Sequence, residues 1–185
     1  MKTLLVNLYG GPGTGKSTSA AYLYAIAKMA GINAELVREA AKEYAWREEV
    51  PKQIPLLKEQ IARENLVFGK VALIVTDSPL YIGQYYTHKF GTLKDFETVI
   101  RMIKKTRLDR DYKGHDTLNI FLKRDKPYNP AGRFEGEKEA KQVDKDQRKM
   151  LETLHIPFYD YNTEKEDLHN LFTGLIVSRI KELNK

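Results

Sequence analysis

The stretch TLLVNLYGGPGTGKST, residues 3–18, joins an apolar run to a glycine-rich turn that ends in lysine and serine. Residues 10–17 fit the pattern G-x-x-x-x-G-K-[ST]. Glycines let backbone N–H groups turn inward and approach phosphate oxygens without Cβ clashes. A helix that starts at Lys16 directs the positive end of its dipole at the same anion. The stretch therefore predicts a phosphate-binding loop (P-loop) between a buried strand at 3–9 and a helix at 16–30.

Each part of this loop has an expected role. The ammonium group of Lys16 is placed to contact the β- and γ-phosphates, and the hydroxyl of Ser17 to bind Mg²⁺. The residues expected to hold the phosphates are Gly11, Pro12, Gly13, Thr14, Gly15, Lys16, Ser17 and Thr18. We expect Mg·ATP as the ligand, and no motif in the sequence identifies the residues that would contact the base.

The rest of the chain alternates short apolar runs with longer amphipathic stretches. Predicted strands lie at 33–38, 71–76, 117–122 and 156–161. Predicted helices lie at 40–48, 53–68, 93–106, in a charged stretch that ends near 154, and at 165–183. Such alternation predicts a three-layer α/β fold whose mostly parallel sheet, of about five strands, is covered by helices on both faces. With the P-loop it predicts a P-loop NTPase fold, one domain over residues 1–185 with a short lid at about 123–136.

Composition excludes several classes of protein. The 185 residues include 31 Lys and Arg against 25 Asp and Glu, a net charge of +6, which permits an anionic partner but is equally typical of a soluble protein that binds none. The densest basic run, residues 101–113, is interpreted as a solvated helix end and loop, with a nucleic-acid track as the less favoured alternative. The absence of cysteine excludes disulfide scaffolds, zinc ribbons and cysteine nucleophiles. The four histidines lie far apart in the sequence, without metal-ligand spacing. No apolar run approaches the ~20 residues of a membrane span, so we expect no membrane partner and a cytoplasmic location.

Two acidic residues follow predicted strands and are candidates for the chemistry. Asp77 comes directly after the strand at 71–76, where an acid beside a P-loop can hold Mg²⁺. The alternative is that it caps a helix that starts near Pro79. Glu39 follows the strand at 33–38, and ligands of doubly wound sheets lie beyond the carboxyl ends of the strands. Glu39 is therefore placed to accept a proton from an attacking hydroxyl, with Asp77 as the alternative base and a surface glutamate at a helix start as the alternative role.

Two arginines late in the chain are candidates for neutralising charge during phosphoryl transfer. Arg124 and Arg133 lie in KRDKPYNPAGRFEGE, residues 123–137. The prolines and the glycine of this stretch favour a loop that closes over a nucleotide, where a guanidinium stabilises the transferring phosphoryl group. The alternative is a solvated turn whose arginines pair with Asp125 and Glu135.

Missing motifs narrow the class further. The sequence contains no N-K-x-D for guanine recognition, and its D-x-x-G, residues 111–114, does not follow a buried strand. Both observations argue against a GTPase. A motor ATPase is usually larger and carries assembly features that this chain does not show. A small P-loop domain with an arginine-bearing segment late in the chain favours a kinase that acts on a small group or a nucleotide.

Particular stretches resemble a known family. The chain resembles small bacteriophage P-loop kinases of the 5-hydroxymethyluracil DNA kinase family, which are similar at a greater distance to the nicotinamide riboside kinase domain. The matching stretches are NLYGGPGTGKST at 7–18, ELVREAAKEYAW at 35–46, Gln60, TDSPL at 76–80, NIFLKRDKPYNPAGR at 119–133 and EAKQVDKDQRKMLETLHIPF at 139–158. The resemblance covers nearly the whole chain, and TDSPL and PYNPAGR are far more particular than the P-loop.

The resemblance implies ATP-dependent phosphorylation of the hydroxymethyl group on 5-hydroxymethyluracil in phage DNA, in the cytoplasm of the host cell. It implies that Glu39 is the base, that Asp77 is an acid associated with the metal, and that Arg124 and Arg133 are lid arginines. The first alternative is a kinase for a free nucleoside or nucleotide, nicotinamide riboside included. The second is a non-catalytic module that binds a nucleotide and switches a partner.

Two further residues fall in a matching stretch. Lys42 and Trp46 lie within residues 35–46 and could line the acceptor site. Trp46 could stack on a base, and a packed core tryptophan is the alternative.

Overall fold

Five parallel strands form one sheet within the residues that this computed structural model describes: 1–49, 52–125, 127–129 and 136–185, apart from the side chains of residues 42 and 45. The strands are β1 (Leu4–Tyr9), β2 (Ala34–Val37), β3 (Leu73–Thr76), β4 (Asp116–Leu122) and β5 (Tyr159–Tyr161). Their order is β2-β3-β1-β4-β5, and every neighbouring pair is parallel. The predicted three-layer α/β fold with about five strands is confirmed.

Helices cover both faces of this sheet. The helices of the described residues are α1 (Lys16–Met29), α2 (Ala41–Trp46), α3 (Gln53–Val67), α4 (Leu80–Phe90), α5 (Leu93–Tyr112), α6 (Glu137–Thr153), α7 (Lys165–Asn170) and α8 (Val177–Leu183), with a π-helical turn at Leu171–Ile176. Leu4, Val6 and Leu8 pack on α1 and the C-terminal helices. Leu5 and Tyr9 face the opposite layer, which contains α3, α4 and α6. Strand β1 is buried throughout because both of its faces are covered.

The strand order positions the site. From β1 the chain passes through α1 to β2 on one side, whereas β4 pairs with the other edge of β1. Ligands of such sheets bind beyond the carboxyl ends of the strands, where the order reverses. The P-loop follows β1, Glu39 follows β2 and Asp77 follows β3. The fold therefore brings three sequence segments to one edge.

Helix α5 differs from its predicted length. It continues to Tyr112, whereas the apolar periodicity predicted an end at residue 106. The basic run at 101–113 is therefore the mostly exposed C-terminal end of α5, as predicted for a solvated helix end, but the loop that was predicted within it is wrong. The helix continues because buried Arg110 takes the next core position after Val99 and Ile103.

Other elements also differ from the prediction. Helix α2 spans Ala41–Trp46, shorter than the predicted 40–48. The predicted closing helix at 165–183 consists of α7, the π-helical turn and α8. In the described part of the chain, no helix combines the length and the apolar character needed to cross a membrane.

Candidate active site

Three glycines with positive φ shape the P-loop, which leads into a helix whose N-terminus has no side-chain cap. Gly10, Gly13 and Gly15 have φ values of 132°, 83° and 95°, a region that side chains disfavour. Gly15 is the N-cap of α1; no side chain caps the helix, and its first turn contains no acidic residue. The Nζ of Lys16 donates to the carbonyl oxygens of Gly10 at 2.6 Å and Gly11 at 3.1 Å, so its ammonium group lies back across the loop. These features suit an anionic ligand at the helix N-terminus.

Helix α6 supports the beginning of the loop. The amide of Gly10 donates to Oε1 of Gln147 at 3.2 Å, and the amide of Gly11 donates to Oδ1 of Asp144. Gln147 is buried. Because these contacts fix two consecutive amides, the loop is held by a helix more than 130 residues further along the chain.

Arg124 lies against the same loop. Its Nε donates to Oδ2 of Asp144 at 2.7 Å, and its Nη2 donates to the carbonyl oxygen of Pro12 at 2.9 Å. An ideal Cβ on Gly13 would lie 3.2 Å from Nη1 of Arg124. Arg124 thus pairs with Asp144, whereas Asp125 accepts hydrogen bonds from the amide and hydroxyl of Thr163. The part of the alternative that concerns Arg133 and Glu135 lies outside the described residues. The structure thus brings Arg124 to the P-loop.

A cavity of about 230 Å³ connects the P-loop with both candidate acids. Its lining residues are Ser17, Ala21, Leu36, Arg38, Glu39 and Asp77. Oδ1 of Asp77 accepts a hydrogen bond from the amide of Glu39 at 2.9 Å, which links the ends of β2 and β3. The N-cap alternative for Asp77 is wrong: Pro79 is the N-cap of α4, and no side chain caps that helix.

Buried polar residues of α3 hold the turn that contains Asp77. The amide nitrogen of Gln60 donates to the hydroxyl of Thr76 at 3.1 Å and to Glu64 at 3.0 Å. The Thr76 hydroxyl in turn accepts from the amide of Ser78 at 3.1 Å. Burial raises the pKa of Glu64, although Arg110, 2.8 Å away, and Gln60 act in the opposite direction. Gln60, matched only by resemblance, is therefore part of the support of the site.

The remaining predicted residues have different outcomes. Thr14 is buried and its hydroxyl donates to Gly11 within the loop, whereas Thr18 is exposed. Trp46 is 67% exposed, so the core alternative is wrong. Arg133 and the segment 130–135 of the predicted lid lie outside the described residues, as does the side chain of Lys42.

The donor set suits Mg²⁺ held partly by a nucleotide. The hydroxyl of Ser17 and the carboxylate of Asp77 belong to residues that line one cavity. The described residues contain no cluster of three or more His, Cys, Asp or Glu that would form an all-protein cage. Mg²⁺ is usually bound by one or two protein ligands together with substrate phosphates and water. The residues present therefore fit this ion, with oxygen ligands from both sides of the cavity.

Sequence reasoning missed Asp144, Gln147, Arg38 and Tyr128. Tyr128 lies so close to the loop that a Cβ on Gly13 would be 2.9 Å from its ring. One signal was available for Gln147: it interrupts the buried stripe of α6 formed by Ala140, Val143 and Leu151. No local pattern marks the other three residues.

The sheet order, the P-loop and the cavity at the carboxyl edge define a P-loop NTPase fold. The chain belongs to an AAA domain family, whose sequence profile matches residues 5–168. A comparison with curated proteins finds no match.

Solved structures show the same fold. The structure of NadR protein in complex with NR has a TM-score of 0.66 and 17% identity, covering 94% of this chain and 52% of that chain. NadR protein in complex with NAD and AMP-PNP has a TM-score of 0.64 and 17% identity, covering 94% and 50%. This chain therefore spans about half the length of these proteins, and at this identity the likeness shows the fold alone.

Proposed function

We propose that this protein is a Mg²⁺-dependent kinase that transfers the γ-phosphate of ATP to a hydroxyl group. The observation that carries the proposal is that Ser17 of the P-loop lines the same cavity as Glu39 and Asp77. A phosphoryl donor at the P-loop and an acceptor hydroxyl in this cavity would meet at the carboxyl edge of the sheet. In this proposal the described elements act together as one kinase domain.

The roles follow from position. Lys16 and the loop amides hold the phosphates, while Ser17 and Asp77 provide oxygen ligands for Mg²⁺, which neutralises phosphate charge when bound. Glu39 accepts the proton of the acceptor hydroxyl as its oxygen forms a bond to the γ-phosphorus. The bond from that phosphorus to the β–γ bridging oxygen breaks, and ADP leaves. Arg124 stabilises the charge on the transferring group.

The acceptor that we favour is the hydroxymethyl group of 5-hydroxymethyluracil in DNA. The family resemblance supports it, and two features of the structure agree. Arg38 lines the cavity, and within the described part of the chain its guanidinium forms no ion pair, so it is available to an anionic or hydrogen-bonding acceptor. Trp46, at the end of α2, exposes 67% of its surface and offers a stacking face.

A free nucleoside or nucleotide is the second candidate. The observation in its favour is the fold likeness to NadR, whose structure was solved with NR bound. Such an acceptor would need no extended DNA-binding surface, because it does not have to be flipped out of a duplex.

The test is transfer of labelled γ-phosphate from ATP to parallel acceptors: DNA with hydroxymethyluracil, unmodified DNA, and free nucleosides and nucleotides. Label on modified DNA alone, with strong salt sensitivity, supports the favoured acceptor. Label on a free nucleoside without DNA supports the second. ATP binding without transfer to any acceptor would refute the kinase proposal and favour a module that binds a nucleotide and switches a partner. Glu39→Gln in the same assay should abolish most transfer while ATP still binds.

A further inference from the structure

Asp144 contacts both the P-loop and Arg124 from α6. Its Oδ1 accepts the amide of Gly11, and its Oδ2 accepts Nε of Arg124 at 2.7 Å. Nη2 of Arg124 is a second donor to Asp144, at 3.2 Å. The two side chains are mostly buried, with exposed fractions of 11% for Arg124 and 18% for Asp144. A carboxylate that accepts two hydrogen bonds from a guanidinium fixes the orientation of the guanidinium plane as well as its position.

The guanidinium keeps one buried nitrogen without a partner. Nε and Nη2 are occupied by Asp144, the carbonyl of Pro12 and the carbonyl of Ala140. Within the described part of the chain, Nη1 is buried and makes no hydrogen bond. It lies beside Gly13, in the loop that we expect to hold phosphates. A buried charged donor without an acceptor is unfavourable, so this nitrogen indicates the position of an anionic ligand atom.

We propose that Asp144 is a positioning residue that holds Arg124 with Nη1 directed at the terminal phosphoryl group of the bound nucleotide. This inference rests on the proposed function, because it places a nucleoside triphosphate in the P-loop. Arg124 is the residue that contacts the phosphate, and Asp144 acts through it. Pre-set orientation matters because a long guanidinium side chain otherwise loses rotamer freedom at each binding event.

Support of the loop is a separate role that Asp144 shares with Gln147. Gln147 holds the neighbouring amide of Gly10, and none of the contacts described for Arg124 involves it. Replacement of Gln147 by leucine therefore disturbs the loop alone. If Asp144 served only the loop, its loss would weaken ATP and ADP binding equally, as the loss of Gln147 should.

Asp144→Asn separates the two roles. The asparagine oxygen can still accept the Gly11 amide, but its NH₂ group then faces Nε of Arg124, donor against donor. We expect this change and Arg124→Gln each to lower the ratio of ATP to ADP affinity by about 10- to 100-fold, the range for one hydrogen bond to a charged group. The double variant should lose no more than Arg124→Gln alone. Asp146→Asn is the matched control: it removes the same charge from α6, and its contacts with Tyr85 and Gln142 lie away from the loop.

Affinities for ATP and ADP, measured by competition with a fluorescent nucleotide, need no acceptor and so separate this inference from the kinase proposal. A selective loss of ATP affinity without any transfer activity would leave the positioning role standing and the kinase proposal refuted. An unchanged ratio in Asp144→Asn, additive losses in the double variant, or no nucleotide binding by the wild type would overturn the positioning role. If Asp144→Asn does not fold, Asp144→Glu should show a smaller selective loss of ATP affinity, and equal losses for both nucleotides would refute the inference.

Discussion

Replacement of Asp77 distinguishes its structural role from its proposed metal role. Asp77 is 4% exposed, and its Oδ1 accepts the amide of Glu39 at 2.9 Å. Asp77→Ala leaves that partly buried N–H without its partner, at a cost of about 1–2 kcal/mol. For a chain of this size the loss corresponds to a melting temperature lower by roughly 2–8 °C. Asp77→Asn keeps an oxygen that can accept the same bond, so we expect its stability to lie within about 1 kcal/mol of the wild type.

The two variants should nevertheless share a defect in Mg²⁺ dependence. Both lose the carboxylate, so the Mg²⁺ concentration at half-maximal phosphoryl transfer should rise, or the activity fall, by roughly 10- to 100-fold. Chemical denaturation measures the stability, and a Mg²⁺ titration of transfer measures the metal role. A wild-type Mg²⁺ response in Asp77→Asn would refute the metal assignment. If Asp77→Ala were as stable as the wild type, the hydrogen bond between Asp77 and the amide of Glu39 would not contribute to stability as we expect.

Three further predictions test other parts of the structure. Lys16→Ala should reduce phosphoryl transfer by ~10²-fold or more but stability by only about 1 kcal/mol, because its Nζ makes two hydrogen bonds in a partly buried site; a comparable loss of both would contradict its ligand role. Partial burial and nearby cations lower the pKa of His115, whose Nδ1 accepts the amide of Thr3. The unfolded chain therefore binds more protons between that lowered value and about 6.5, so the free energy of unfolding should fall as the pH drops through this window, and denaturation of His115→Gln should show a flatter profile. Glu64→Leu should cost about 3–5 kcal/mol because it leaves Arg110 buried and unpaired, and Arg110→Met in the same chain should recover most of that loss in denaturant unfolding.

Local patterns were sufficient for the elements that carry the P-loop. Strand β1 and helix α1 were predicted because a buried apolar run, a glycine-rich turn and an alanine-rich helix follow one another without interruption. The parallel sheet followed from the alternation of elements. The order of the strands could not be predicted in this way, because it depends on which side of β1 each following strand joins the sheet.

A charged residue in a core position accounts for the error in the length of α5. The buried face of α5 contains Arg110, and the buried face of α3 contains Gln60 and Glu64. A charged residue ends an apolar pattern in sequence, so α5 was predicted to be too short. Arg110 and Glu64 are 46 residues apart in the chain, and only the fold brings the two charges to 2.8 Å. No single helix pattern could reveal that each has a partner.

The contacts of α6 also change which loop amides can hold phosphate. From the sequence pattern, residues 11–18 were all expected to hold the phosphates, and nothing distinguished one residue of this phosphate cradle from another. The Gly11 amide, however, donates to Asp144, and Pro12 has no N–H to donate. The cradle is therefore expected to begin at Gly13, the residue beside which Nη1 of Arg124 lies. The part of the loop that cannot bind phosphate through its backbone is thus the part that holds Arg124, through the Pro12 carbonyl and through Asp144. Helix α6 therefore supports the first part of the loop and Arg124 together, and leaves the amides from Gly13 onward for the phosphates.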